Sequence, residues 1–121
     1  MSSELKNFDQ RFTSLLDDLD LLKSESFIDG QWKAGASSFG VTDPANGSYV
    51  ATVAALGESE SRAAVDAADA AFPAWGWAIP QVRADVLKRW YDLMRQHKED
   101  LALIMSVEQG KPLSEARGEI D

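Results

Sequence analysis

Apolar residues recur at steps of three and four through the first part of the chain: Leu5, Phe8, Phe12, Leu15, Leu16, Leu19 and Leu22. That period predicts an amphipathic helix over residues 1–24. Asp9, Asp17, Asp18 and Asp20 take its other face. Most of these acids lie towards the C-terminal end, where the helix dipole disfavours anions, so the helix is expected to need a docking surface. The pattern then changes. Phe27-Ile28 leads into Asp29-Gly30, and Trp32 follows. Asp-Gly between short apolar runs predicts a hairpin closed by a type I′ turn, because both central residues of that turn need positive φ. A second hairpin is expected, with residues 39–42 and 49–53 as arms and Asp43-Pro44-Ala45-Asn46-Gly47 between them. Pro44 suits an early turn position and Gly47 accepts a left-handed backbone.

From Glu58 the period returns to 3.6. Glu58 or Ser59 can cap a helix whose buried stripe would be Val65, Ala68 and Phe72, with Pro73 ending it. Trp75, Gly76 and Trp77 read as a connector. A further helix opens at Pro80, a favoured first position because its missing N–H would be unpaired there anyway. Val82, Val86, Leu87, Trp90, Leu93 and Met94 mark its buried side. It breaks around residues 97–99, and Leu101, Ile104, Met105 and Val107 carry a fourth helix. Gly110 is a natural residue just past a helix end, and Pro112 prevents continuation. A last helical pattern begins near Ser114, and the chain stops inside it. The order predicts an α+β arrangement: an N-terminal helix, two β-hairpins, then three to four helices. No strand–helix–strand alternation appears, so no parallel nucleotide-binding sheet is expected from these residues by themselves. Residues 1–24 read as an N-terminal extension and 25–121 as the main body.

Charge narrows the function classes. The net charge is −8, which repels a phosphate backbone and argues against nucleic-acid binding. Arg83, Lys88, Arg89 and Arg95 cluster, but a solvated helix face accounts for them. There is no cysteine, hence no disulfide, thiolate metal site or thiol nucleophile in this chain. The start is polar and carries no secretory pattern, and the apolar run at 50–56 is too short for a bilayer, so a cytoplasmic protein without membrane contact is expected.

Candidate chemistry is sparse. No two glycines are spaced G-x-G and no phosphate-loop motif occurs. Gln109-Gly110-Lys111-Pro112 reads as a helix end. His97 is the lone histidine and has no thiol partner for a metal. Asp17/Asp18, Glu58/Glu60 and Glu99/Asp100 read as solvated faces and helix starts. The four tryptophans, with Tyr49 and Tyr91, are expected in a core or an interface. No catalytic, cofactor-binding or metal-binding residue is assigned to this chain.

Phe27-Ile28-Asp29-Gly30-Gln31-Trp32 followed by Thr42-Asp43-Pro44-Ala45-Asn46-Gly47 resembles the opening hairpins of the aldehyde dehydrogenases. Ala63-Ala64-Val65-Asp66-Ala67-Ala68 with Ala71-Phe72-Pro73-Ala74-Trp75, and then residues 83–94, resemble that family's first helices. Glu108-Gln109-Gly110-Lys111-Pro112-Leu113, continuing as Ser114-Glu115-Ala116-Arg117-Gly118-Glu119-Ile120, is the most specific stretch. It is similar to the succinate-semialdehyde branch. One departure is Ile79-Pro80-Gln81-Val82-Arg83, which stands where the family usually has a capping box, a change of about 1 kcal/mol.

The resemblance implies the peripheral part of a Rossmann-like cofactor-binding domain. In complete members a cysteine thiolate attacks the aldehyde, hydride passes to NAD or NADP, and water releases the acid. The cysteine, the general-base glutamate and the oxyanion-hole asparagine belong to regions of the family beyond the residues matched here. None is carried over, and neither cofactor nor aldehyde is expected to bind this chain alone. The resemblance also implies a structural monovalent cation held partly by backbone carbonyls, near Val41, Thr42 and Glu108. Three readings follow: an N-terminal piece of a dehydrogenase, inactive alone; an interaction module that self-associates or pairs with a full-length dehydrogenase; and an unrelated small α+β domain. On the first, helices meant to pack elsewhere would keep large side chains in water, each forfeiting roughly 1.5–3 kcal/mol of burial. The isolated chain is then expected to be marginally stable, oligomeric or partly molten.

Overall fold

The computed structural model describes residues 5–121. Its elements in order are α1 (Gln10–Thr13), β1 (Ser26–Ile28), β2 (Gln31–Lys33), β3 (Ser37–Thr42), β4 (Tyr49–Ala55), α2 (Glu58–Trp77), α3 (Pro80–Gln96), α4 (Lys98–Gln109) and α5 (Leu113–Ile120). The strands make two separate antiparallel pairs, β1–β2 and β3–β4. This is the α+β arrangement of hairpins followed by helices that the sequence predicts. No helix among the described residues is long and apolar enough to cross a membrane.

The turn chemistry behaves as expected. Asp29 and Gly30 both take positive φ, 51° and 71°, so Ile28 faces Gln31 directly across a two-residue turn. Phe27 and Trp32 sit opposite each other in this hairpin with ring centroids 5.1 Å apart. In the second hairpin, Gly47 has φ 72°, and the Asp43 carbonyl accepts its N–H at 2.7 Å. Val41 pairs with Ala51 but Thr42 with Tyr49, which leaves Val50 as an extra residue in β4. Such a bulge unpairs one residue from its ladder. The Val50 carbonyl accepts the Asp9 N–H at 2.8 Å, and Phe8 bridges to Ala51 beside it.

The N-terminal segment departs from expectation. Among its described residues there is no continuous helix. Short 3-10 turns at Leu5–Asn7 and Leu19–Leu21 flank the four-residue α1. The aspartates explain the breaks, since short acidic side chains offer backbone N–H groups an alternative to the helical ladder. Asp9 is extended, and its carboxylate accepts from the Arg11 and Phe12 N–H groups. Asp18 is extended as well and accepts from Asp20. The N–H groups of Asp17 and Asp18 point instead at Asp100, whose two carboxylate oxygens accept them at 3.0 and 2.8 Å. The docking surface that the apolar spacing calls for is present nonetheless. Phe8, Phe12, Leu16 and Leu22 are buried against Val50 and Ala51, with Leu103, Ile104 and Val107 of α4 packed on the same cluster. Leu15, at 61% exposure, is left out of it.

α2 differs from the sequence reading at both ends. Its cap is Gly57, not Glu58 or Ser59. The Glu60 carboxylate accepts the Gly57 N–H at 3.0 Å, which is half of a capping box. The Ser59 hydroxyl donates to the same oxygen at 2.8 Å. Those hydrogen bonds, led by that from Ser59, hold the Glu60 carboxyl below its ordinary range. Pro73 does not end α2. It lies inside the helix, and Trp75, Gly76 and Trp77 form the last turn rather than a connector. A proline forfeits one N–H and crowds one carbonyl. Here the following turn gains an outside donor, because Arg83 Nη1 reaches the Gly76 carbonyl at 3.4 Å.

α3 opens at Pro80, breaks at His97 and gives way to α4, as the sequence predicts. Gly110 closes α4 with φ 71° in the left-handed region. Ala102, Ala116 and Ile120 are buried where α4 and α5 pack together. The stripes assigned to α2 and α3 are not buried: neither helix contains a buried residue. Val65, Phe72, Leu87 and Trp90 are each more than half exposed. The apolar cluster lies between the N-terminal segment, the second hairpin and α4, and these four side chains lie outside it. Large side chains kept in water are what the dehydrogenase-piece reading expects.

Two substitutions test this account. Asp100→Ala leaves the Asp17 and Asp18 amides without an acceptor and is expected to cost roughly 1–3 kcal/mol. The readouts are a lowered urea midpoint and faster hydrogen exchange at those two amides. Gly110→Ala places a Cβ in a left-handed conformation, where it would also come within 2.9 Å of Pro44 Cγ. Its expected cost is about 1–2 kcal/mol from the backbone alone, read from the same urea midpoint.

Candidate functional site

The residues that the resemblance singles out for a cation lie on two elements, β3 and α4, that pack on one apolar cluster. Val41 and Thr42 end β3 next to the β4 bulge. Glu108 lies in the last turn of α4. Val41 and Val107 pack on one apolar cluster, and the C-terminal end of α4 abuts the second hairpin through Gly110 and Pro44. Partial desolvation raises the Glu108 carboxyl above its ordinary value, although the residue is exposed at the surface. Among the described residues, no group of three or more His, Asp or Glu side chains is arranged to hold a metal ion.

The other candidates resolve into structural roles. His97 sits at the α3–α4 junction with Nδ1 3.5 Å from an Asp18 carboxylate oxygen. The carboxylates paired in sequence do different things. Glu99 is exposed and takes a forked contact from Arg117, with oxygens 2.8 to 3.2 Å away. Asp100 beside it is 6% exposed, which corrects its reading as part of a solvated face. Nothing local marks Asp100, because its partners are more than eighty residues away in sequence. Two of the basic residues of α3 are engaged locally. Arg83 turns back to Gly76, and Arg95 pairs with Asp121, which Lys98 also contacts at 2.6 Å. The Lys98 hydrogen bond is the main reason the Asp121 carboxyl lies below its ordinary range. The tryptophans are not core residues: Trp32, Trp75, Trp77 and Trp90 are all exposed, Trp77 by 90%.

Both sheets are two-stranded and antiparallel, whereas a pyrophosphate cradle uses a strand feeding a glycine-rich helix start in a parallel sheet. A polar cleft of about 290 Å³ is lined by Asn7, Ser24, Glu25, Ala36, Ser38 and Thr52. The Asn7 side-chain amide donates to Ser24 Oγ at 3.0 Å there. Among the described residues no buried side-chain nitrogen or oxygen lacks a hydrogen-bond partner. There is thus no orphaned polar group aimed at a ligand.

The Glu108 environment sets a pH dependence. A carboxyl raised in the folded state binds a proton more tightly there than in the unfolded chain. Stability therefore falls as pH rises from the ordinary carboxyl value of 4.5 through the raised one. Glu108→Gln removes this slope. The variant should match the native chain near pH 4 and exceed it near pH 7, read from urea midpoints across about pH 4 to 7.

Comparison with known proteins places this framework. Residues 32–121 match the aldehyde dehydrogenase family. The chain is 44% identical over 107 residues to the NADP(+) succinate-semialdehyde dehydrogenase of Escherichia coli K12, covering 87% of this chain and 22% of that protein. It is 50% identical over 101 residues to the mitochondrial succinate-semialdehyde dehydrogenase of Mus musculus, covering 84% of this chain and 19% of that one. The crystal structure of an Escherichia coli NADP-dependent enzyme superposes with a TM-score of 0.84 at 44% identity, over 87% of this chain and 22% of that one. The chain thus spans about a fifth of the length of these relatives. The hairpins, the helices after them and the Glu108–Ile120 stretch are held in common with complete dehydrogenases, and the chain belongs to the aldehyde dehydrogenase family.

Proposed function

We propose that this chain is the N-terminal part of a cytoplasmic NAD- or NADP-dependent dehydrogenase that oxidises succinate semialdehyde to the acid. The identity of 44–50% to succinate-semialdehyde dehydrogenases carries the reading. Residues 108–120 support it, since the helix end at Gly110, Pro112 and the new helix there fall within the stretch matched by the family.

The chemistry asks for a nucleophile, an oxyanion site and a placed hydride acceptor. This chain contains no cysteine and no dinucleotide cradle, so no step of the reaction is assigned to it. Its contribution is rigid support. The second hairpin and α4 form one packed unit, and α2 and α3 project from it as two long helices. Rigid elements of this kind keep catalytic groups elsewhere in a fold within the narrow tolerances that catalysis demands.

Two assays test the proposal. The purified chain, given succinate semialdehyde with NAD or NADP, should form no reduced cofactor above the blank; turnover would refute the assignment of chemistry to other regions. A chimera joining this chain to the remainder of the Escherichia coli relative should oxidise succinate semialdehyde. A folded chimera that reduces NADP with other aldehydes but not this one would remove the substrate assignment.

A further inference from the structure

The chain has two asparagines, and the structure places them in opposite circumstances. Asn7 is followed by Phe8, a bulky residue that is buried in the core. The Asn7 side-chain amide is tied to Ser24 Oγ at 3.0 Å. Asn46 is followed by Gly47 in the exposed turn between β3 and β4. Gly47 has no side chain to shield its backbone nitrogen, and a Cβ added there would meet nothing within 4 Å. The Asn46 side-chain oxygen accepts the Ser48 N–H at 2.8 Å. The hydrogen-bonded ring closed in this way contains both the Asn46 carboxamide carbon and the Gly47 nitrogen. The same N–H polarises the side-chain carbonyl and is placed to hold negative charge as it builds on the oxygen.

We infer that Asn46 is a site of self-modification, converted to aspartate and isoaspartate through attack by the Gly47 backbone nitrogen. Hydroxide takes the Gly47 N–H proton, and the nitrogen bonds to Asn46 Cγ. The Cγ–Nδ2 bond then breaks. Ammonia leaves after taking a proton from water, which restores the hydroxide and leaves a cyclic succinimide. Water opens that ring. Cleavage at the side-chain carbonyl gives aspartate. Cleavage at the backbone carbonyl gives isoaspartate, in which the main chain runs through the side chain. Only water is consumed, and nothing is oxidised or reduced. The reacting atoms belong to adjacent residues, so their encounter costs little entropy. The restraint is the Asp43 carbonyl, which accepts the Gly47 N–H at 2.7 Å. The nitrogen reacts only when this bond opens, so local opening of the turn times the reaction. Isoaspartate lengthens the turn by one backbone carbon. That turn abuts the end of α4, where a Cβ on Gly110 would come within 2.9 Å of Pro44 Cγ. The product therefore loosens the packing of the second hairpin on α4 and adds a negative charge to a chain already at −8.

The test holds the purified full chain at neutral pH and physiological temperature and follows it by peptide mapping that separates aspartate from isoaspartate. Both products should accumulate at residue 46 roughly tenfold faster than any change at Asn7. Unfolding in urea should speed the reaction at Asn46 several-fold by freeing the Gly47 N–H. Gly47→Ala, compared with the native chain in urea where strain in the folded turn plays no part, should slow it by roughly tenfold. Asn46→Thr keeps a side-chain oxygen for the Ser48 N–H and leaves nothing to deamidate. Its urea midpoint should hold on storage while that of the native chain falls. An Asn46 that stays intact in the folded chain, or changes no faster than Asn7, would overturn the inference, as would a Gly47→Ala chain that reacts as fast as the native one. Equal rates in the folded chain and in urea would remove the gate at Asp43. An isoaspartate-bearing chain with an unchanged urea midpoint would remove the coupling to α4.

Discussion

Two backbone N–H groups on one buried carboxylate organise this molecule. Asp100 lies in the first turn of α4, where the positive end of the helix dipole favours an anion. Its oxygens take the Asp17 and Asp18 amides. A buried carboxylate without such donors would carry a large desolvation cost, and buried amides without an acceptor would too. Each side therefore satisfies the other. The contact holds the chain between α1 and the 3-10 turn at Leu19–Leu21. It also presses Phe12 and Leu16 onto the cluster shared with α4 and the second hairpin.

A second constraint works from the opposite side. The bulge at Val50 turns a carbonyl out of the β3–β4 ladder, and Asp9 donates to it. The Tyr49 hydroxyl donates to the Asn7 carbonyl at 2.9 Å, and the Ala54 N–H donates to the Ser24 carbonyl at 2.8 Å. The N-terminal segment is thereby fastened to β4 near both ends of that strand. Segment, hairpin and α4 share one core, and this core is closed without α2 or α3. That division gives the chain its character: a braced unit bearing two long helices whose apolar stripes face water.

Turns and helix ends were legible in the sequence wherever one or two adjacent residues decide them. Asp29-Gly30, Gly47, Pro80 and Gly110 each adopt the backbone that their covalent structure favours. The break at His97 was legible as a loss of apolar period. Misreadings arose where a distant or opposing term prevailed. Seven apolar residues at helical spacing lost their helix to aspartate side chains and to a carboxylate far along the chain. Pro73 read as a stop, yet the helix tolerates the loss of one hydrogen bond. The apolar stripes of α2 and α3 are real as patterns, but a pattern records which face is apolar and not whether anything lies against it.

The sequence by itself determined the order and kind of the elements from β1 onward, both hairpin turns, the absence of a thiol nucleophile and the likeness to the aldehyde dehydrogenases. These follow from local backbone preference, side-chain chemistry and short motifs, which act over a few residues. The tertiary structure alone decided the fate of the N-terminal segment, the burial of Asp100, the packing of β3 and α4 on one cluster, and which apolar faces are covered. Those depend on groups distant in sequence becoming neighbours, and desolvation and hydrogen bonding assign their energies only once that has happened.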